Sequence, residues 1–283
     1  MVNSNGNIVA SNSELLHQNR AFLYGDAVFE TLKIVNHSIL FWEDHYFRLM
    51  ATMRIVRMEI PMNFTMEYLE NQILSLVQAK NITNAARARI TVYRASPGFY
   101  LPETNDVGFV IQVAEIPHSQ YQWNSSKYEV DLYKDFYISK QLISNLKTTN
   151  KIIHITGSIF AKENDLDNCL LLNESKQVTE ALQGNVFVYI NQVLKTPPLS
   201  EGCLNGVMRK NIISLLQKNQ LLPIEESPIS PFELQKADEI FITNVVQGIQ
   251  PITHYRKKTF GNSLAIRLIE MLNNHVQTPS KDV

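Results

Sequence analysis

Apolar residues recur at helical spacing twice in the first half of the chain, as Trp42, Tyr46, Leu49, Met50 and Met53, then as Met66, Leu69, Ile73 and Val77. Positions three and four apart share one helix face, so each set predicts an amphipathic helix. Phe29 to Ile34, Arg89 to Tyr93 and Gly108 to Ala114 are short runs rich in Val, Ile, Phe and Thr and bounded by turn residues, as strands are. The first half reads as α+β.

The polar stretch HSQYQWNSSK, His118 to Lys127, has no apolar periodicity and predicts a domain boundary. The expected division is a domain over 1–117, a linker over 118–127 and a second domain over 128–283. Beyond the linker, Tyr128 to Tyr133 reads as a strand, followed by a helix expected to turn Ile152, Ile155, Ile159 and Phe160 inward. Cys169 to Leu172, Gln177 to Thr179 and Val186 to Ile190 read as strands. Asn191 and Gln192 then sit where a two-residue hairpin turn belongs. After Pro197 and Pro198, Asn205 is expected to cap a helix whose apolar positions include Val207, Ile212, Ile213 and Leu216.

At 283 residues the chain exceeds the usual single-domain size of about 100–150. Hydrophobic residues make up 45% and charged residues 19%, which excludes a disordered chain. With 26 Lys+Arg against 27 Asp+Glu, the net charge of −1 offers no long-range attraction to nucleic acid or an anionic membrane surface. Small molecules or proteins remain as partners. Cys169 and Cys203 are the two cysteines, both read as packing residues in a reducing compartment. The first eighteen residues lack the basic start and apolar run of a signal peptide, and no run of about 18 apolar residues follows. A soluble, cytoplasmic protein is expected.

Paired-histidine, double-cysteine, Walker, dinucleotide-glycine and nucleophile-elbow motifs are all missing, so no metal site is expected. What remains is a set of polar residues at the ends of apolar elements. Gly206 at a helix start would let an anion approach free backbone N–H groups, although most capped helices bind nothing. Arg48 lies on a helix off its apolar stripe, one turn after His45. Arg87 and Arg89 share one strand face, which suits a carboxylate substrate or a solvated surface equally. Lys147, in SNLKTTN, precedes an apolar helix, and Glu180 ends the run QVTE just before Gly184 and Asn185.

The order of the segments FLYGDAVFETLK, HYFRL, LKTTN, VTEALQGNVF, TPPLSEGCLNGVMR and ADEIFITN, from about Arg20 to Ile252, closely resembles the class IV aminotransferase family. That resemblance implies an enzyme of fold type IV that uses pyridoxal 5'-phosphate, with a smaller α+β domain, a larger pseudo-barrel domain and the cofactor between them. It also implies a homodimer in which the SPGFYLPE loop completes the partner's site. By the same resemblance Lys147 joins the cofactor covalently and serves as acid and base. Glu180 stands beside the pyridine nitrogen and Arg48 binds the phosphate. Gly206 and Val207 supply helix-start amides to that phosphate, Leu204 packs on the ring, and Asn244 with Val245 forms a second phosphate loop. Arg89 and Arg87 bind or sort substrate carboxylates, and Tyr24 lies with the substrate.

Departures from the family pattern bear on the subfamily. KTTNK is one residue shorter to its Asn than in branched-chain aminotransferases and lacks their following tyrosine, and SPGFYLPE lacks the Arg and His clamp of D-amino-acid enzymes. KTTNK with Lys151, LNGVMR and ITNVV resemble the 4-amino-4-deoxychorismate lyases, although Glu30 replaces a threonine of some lyases and Met208 one common in transaminases. The expected reaction is release of pyruvate from 4-amino-4-deoxychorismate to give 4-aminobenzoate. Transamination of branched-chain or other L-amino acids with 2-oxoglutarate is the alternative. A non-catalytic protein that kept the fold and binds the cofactor is a third.

Overall fold

The structure is a computed structural model that describes residues 1–10 and 19–277, so part of the amino-terminal stretch read for a leader lies outside the described residues. Two compact units are present, one of residues 1–119 with Lys147–Asn150, the other of 120–146 with 151–283.

The first unit is built on a six-stranded antiparallel sheet. From edge to edge its strands are β2 (Asn7–Val9), β1 (Val2–Ser4), β6 (Val107–Glu115), β5 (Ala85–Arg94), β3 (Ala27–Val35) and β4 (Ser38–Ile39). Successive strand residues point to opposite faces, and here the faces differ in chemistry. Val28, Leu32 and Ile34 of β3 join Ala88, Ile90 and Val92 of β5 in a core with Leu49 and Met53 of α2 (Trp42–Ile55) and with Leu69 and Ile73 of α3 (Met66–Ala79). Thr65 starts α3 by accepting the N–H of Tyr68 on its side chain. The opposite face of β3 carries Phe29, Thr31 and Lys33, in register with Thr91, Arg89 and Arg87 of β5. A short helix, α1 (Arg20–Tyr24), precedes β3 and ends at Gly25, whose φ of 64° is left-handed.

Lys147–Asn150 packs with this unit because it pairs with the start of β3. The N–H of Phe29 donates to the carbonyl of Lys147 at 2.9 Å and that of Thr149 to Ala27 at 3.0 Å. A Cβ on Gly25 would lie 2.4 Å from Oδ1 of Asn150, so only glycine admits this approach.

In the second unit, β12 (Ile224–Glu226), β11 (Val193–Thr196), β10 (Asn185–Ile190), β13 (Glu239–Asn244) and β14 (Gly248–Ile252) form one sheet. A second sheet runs β16 (Lys258–Thr259), β15 (His254–Tyr255), β7 (Glu129–Ile138), β8 (Asn168–Asn173) and β9 (Val178–Ala181). An Ala181↔Gly184 bridge joins the end of β9 to the residue that precedes β10. Val130, Leu170 and Val178 from one sheet and Val186, Val188, Ile240 and Ile242 from the other share a single core, so the sheets make a pseudo-barrel. Around it lie α4 (Ile152–Glu163), α5 (Val207–Asn219), α6 (Pro231–Leu234) and α7 (Ser263–Gln277). Asn191 and Gln192 have φ of 51° and 65°, as the predicted two-residue turn between β10 and β11 requires.

Three expectations are corrected. On α4, Ile152, Ile155 and Ile159 are exposed at 68%, 54% and 52%, and only Phe160 of the expected stripe packs inward. The inner face is instead Gly157 and Ala161, because a Cβ at Gly157 would meet Leu182 Cδ2 at 2.5 Å and the helix lies too close for anything larger. At α5 the N-cap is Gly206, with no side-chain cap, and Asn205 is exposed. The segment read as a linker contains Tyr121, which is buried in the second unit with its hydroxyl donating to the Val245 carbonyl at 2.9 Å. Among the described residues, no helix is long and apolar enough to cross a membrane and no group of three or more potential ligands could hold a metal.

Candidate active site

The residues singled out from the sequence fall into two groups, one in each unit. In the first, the ammonium of Lys147 lies 4.6 Å from the centroid of the Phe29 ring, and the guanidinium of Arg89 lies 3.7 Å from the same centroid. One aromatic side chain thus serves two cations, a contact favoured by the negative charge on a ring face. Thr91 accepts the Nε–H of Arg89 at 3.2 Å. Burial, and after it the charge of Arg87, lowers the pKa of Arg89. Lys33, directly across the strand from Arg87, is 2% exposed, and burial pulls its amine down to about 8. Cations therefore line one stretch of this face.

Arg48 is held on the opposite face of the sheet. Its Nε donates to Oε1 of Glu30 at 2.7 Å and its Nη2 to Oε2 at 2.5 Å, while Nδ1 of His45 lies 2.8 Å from Oε2. Burial pushes the Glu30 carboxyl up, but the charge of Arg48 and the hydrogen bonds from His45 and Arg48 outweigh it and bring the group down to about 2. His45 is lowered, chiefly by its burial. Arg48 is thus paired within the unit; its helix presents it to a carboxylate that the sequence showed only as a departure from the lyase pattern. Tyr24 ends α1 with its ring 5.7 Å from that of Tyr100 and 5.0 Å from the Arg20 guanidinium.

In the second unit Glu180 lies on β9 with its carboxylate buried. Nε2 of His154 is 2.9 Å from Oε1, and the N–H of Leu204 donates to Oε2 at 2.8 Å. Burial raises its pKa, yet the hydrogen bond and charge of His154, the charge of Lys151 and the Leu204 N–H together hold it below the ordinary value. It is a buried carboxylate kept ionised. Close by, Asn185 ties down the turn before α5, its Nδ2 donating to the Leu204 carbonyl at 2.8 Å. A Cβ on Gly206 would fall 1.9 Å from Oδ1 of the same asparagine. The helix start at Gly206 and Val207 therefore has glycine where backbone and side chain crowd, and leaves its first amides without a side-chain cap. Thr243, paired with Asn185 across β10 and β13, carries a buried hydroxyl without a partner among the described residues. Asn244 caps the turn after it, its Oδ1 accepting from the N–H groups of Val246 and Gln247 at 3.0 and 2.9 Å.

This donor set fits pyridoxal 5'-phosphate. An orphaned buried hydroxyl and an uncapped helix start are what a phosphate would satisfy, and a buried anion such as Glu180 suits a protonated ring nitrogen. His154, Thr243 and Asn185 were not singled out from the sequence, because each matters through a neighbour distant along the chain. Both cysteines are buried, and burial pushes each thiol up to about 12, in keeping with packing roles.

One α+β unit and one pseudo-barrel unit are the parts of a fold type IV enzyme, and a solved branched-chain aminotransferase from Thermoproteus uzoniensis superposes with a TM-score of 0.87 at 22% identity, over 99% of this chain and 95% of that one. A protein from Legionella pneumophila assigned as a 4-amino-4-deoxychorismate lyase does so with a TM-score of 0.82 at 21% identity, over 93% and 96%. In sequence, a D-alanine aminotransferase of Listeria monocytogenes is 27% identical over 245 residues, 84% of this chain and 81% of that protein. Residues 27–255 match the model of the amino-transferase class IV family, and the chain belongs to that family. It is accordingly an enzyme whose cofactor is pyridoxal 5'-phosphate.

Proposed function

We propose that the chain is a lyase that converts 4-amino-4-deoxychorismate into 4-aminobenzoate and pyruvate. The observation that carries this reading is the row of cations on one sheet face, Arg89 and Arg87 in β5 beside Lys33 in β3, next to Phe29 and Lys147. That row suits a substrate bearing two carboxylates. KTTNK, LNGVMR and ITNVV support the same reading.

Bound pyridoxal 5'-phosphate supplies the electron sink at the carbon that carries the substrate amine. Lys147 removes the proton from that carbon and can return it. Arg89, with Arg87, holds carboxylate, while Phe29 positions both Arg89 and Lys147. Glu180 keeps an anion at the ring nitrogen. Arg48, the start of α5 at Gly206 and Val207, and the turn at Asn244 and Val245 hold phosphate, with Leu204 against the ring and Tyr24 near substrate. Once the proton has left, the enolpyruvyl ether on the neighbouring ring carbon departs with its bonding pair. The ring becomes aromatic, and the enolate that leaves takes up a proton on carbon to become pyruvate.

The D-alanine aminotransferase likeness favours a second reading, in which Lys147 returns the proton to the cofactor and the amine is transferred. We also infer a homodimer. Ile152, Ile155 and Ile159 present an apolar stripe, and Phe99, Tyr100 and Leu101 are 84–89% exposed on a loop whose carbonyls Arg20 holds. One assay decides the reaction. With 4-amino-4-deoxychorismate the enzyme should release fluorescent 4-aminobenzoate at a kcat/KM at least about tenfold above that for amino transfer from leucine or D-alanine to 2-oxoglutarate, a difference of about 1.4 kcal/mol. Amino transfer without 4-aminobenzoate would replace the lyase by the aminotransferase.

A further inference from the structure

A glutamate side chain has three rotatable bonds, so a carboxylate that must meet one ring atom needs its orientation fixed. Glu180 is fixed at both oxygens. The N–H of Leu204 holds Oε2 at 2.8 Å, and the imidazole of His154 holds Oε1 at 2.9 Å from α4. A carboxylate offers about four lone-pair positions, so two remain for a further donor.

His154 reaches Glu180 because of the way α4 lies on the sheet. Gly157, three residues on, has no Cβ, and one would stand 2.5 Å from Leu182 Cδ2 and 3.3 Å from Tyr133 Cδ1. Leu182 follows Glu180 by two residues, so the close approach of the helix and the hydrogen bond occur at one place in the fold. The other imidazole nitrogen, Nδ1, is buried and has no hydrogen-bond partner among the described residues. Leaving such an atom unpaired costs about 1–3 kcal/mol, which a surface-type pairing would not recover. Among the described residues, the ring's polar contact is with Glu180.

We propose that His154 is a positioning residue for catalysis, donating its Nε2–H to Glu180 so that the carboxylate is held, oriented, for the ring nitrogen of pyridoxal 5'-phosphate. This rests on Glu180 being the partner of that nitrogen. His154 itself touches no reacting atom; its effect passes through the carboxylate and vanishes when the carboxylate is removed.

The test uses apoprotein and two ligands, pyridoxal 5'-phosphate and its analogue with C–H in place of the ring nitrogen, titrated by quenching of protein fluorescence. Wild type should prefer the natural cofactor. His154→Ala should raise its Kd about tenfold, the scale of one hydrogen bond to a charged group, and leave the analogue's Kd unchanged. His154→Gln, whose amide nitrogen can stand near the position of Nε2, should restore binding to within about threefold. In a Glu180→Gln background, His154→Ala should have no further selective effect. Equal weakening for both ligands in His154→Ala, or no weakening for either, overturns the proposal. If His154→Ala does not fold, a His154→Gln variant that loses the preference overturns it instead. A wild type that binds both ligands equally overturns the reading of Glu180 itself, so the two failures are told apart.

Discussion

The ammonium of Lys147 lies 4.6 Å from the centre of the Phe29 ring, and the N–H of Phe29 donates to the carbonyl of Lys147 at 2.9 Å. Main chain and side chain of one residue thus fix the amine on the polar face of the sheet. Lys147→Ala should abolish any borohydride-reducible link between protein and cofactor, together with turnover, because the link needs a primary amine at that point. Mass spectrometry after reduction checks this; a labelled Lys147→Ala chain would put the link elsewhere. Phe29→Leu keeps the amine and should lower kcat by about thirtyfold or less while the link remains, since a ring contact of this kind contributes about 0.5–2 kcal/mol.

Glu180→Gln should still bind the cofactor and lose at least about a hundredfold in kcat, or about 2.7 kcal/mol of transition-state stabilisation. The amide is close to isosteric, so the Leu204 N–H keeps an acceptor while the anion is lost. Steady-state kinetics at saturating cofactor decide the matter, and an unchanged kcat removes Glu180 from the chemistry.

The helices and strands of both units are legible where a period of 3.6 or 2 repeats, as in α2 and α3 and in β3, β5 and β10. The direction a helix faces is less legible when its contact residues are small. Gly157 and Ala161 carry no hydrophobic signal beside Ile152, Ile155 and Ile159, so the pattern pointed the wrong side of α4 inward. Candidate site residues that belong to a motif, such as Lys147 and Glu180, are visible in the sequence. Those that act through a distant neighbour were not: His154 stands 26 residues from Glu180, and Tyr121 stands 124 from Val245.

Arg48 and Glu30 form a buried ion pair, so Arg48→Ala tests more than phosphate binding. Removing one partner leaves an uncompensated carboxylate and should cost about 3–5 kcal/mol of folding stability at pH 7, whereas Glu30→Gln with Arg48→Met should recover most of it. The pH dependence has a definite sign. The Glu30 carboxyl, at about 2 when folded against 4.5 for the free side chain, contributes stability that is complete above pH 4.5 and lost as pH falls to about 2. The amount is about 3 kcal/mol. Urea unfolding from pH 6 to pH 2 should show this slope in wild type and a shallower one in Glu30→Gln.

Lys33 makes the opposite prediction. Its amine is pulled from 10.5 to about 8 by burial, so below pH 8 the folded protein carries a penalised ammonium, and between pH 8 and 10.5 the unfolded chain holds more protons. Stability from this residue therefore rises with pH across that window. Lys33→Met removes the titrating group and should remove that rise, so that its stability relative to wild type falls between pH 7 and pH 10.5. Denaturant unfolding at both pH values checks it, and a stability difference that does not change with pH would contradict the burial argument.

Arg89 offers the sharpest handle on the substrate. It lies over Phe29 with its Nε–H given to Thr91, so its orientation is set before any ligand arrives. If it meets a carboxylate remote from the substrate amine, Arg89→Ala should lower kcat/KM for a dicarboxylate by about tenfold or more, since a charge-assisted contact contributes about 1.5–3 kcal/mol. A monocarboxylate amino acid such as leucine makes no such contact and should lose less than about threefold. Adding Arg87→Ala should deepen the first loss and leave the second alone, because Arg87 shares the face. Kinetics with one substrate of each type read the difference directly. Equal losses for both would assign Arg89 to the carboxylate beside the amine and remove the support these cations give to a substrate with two carboxylates.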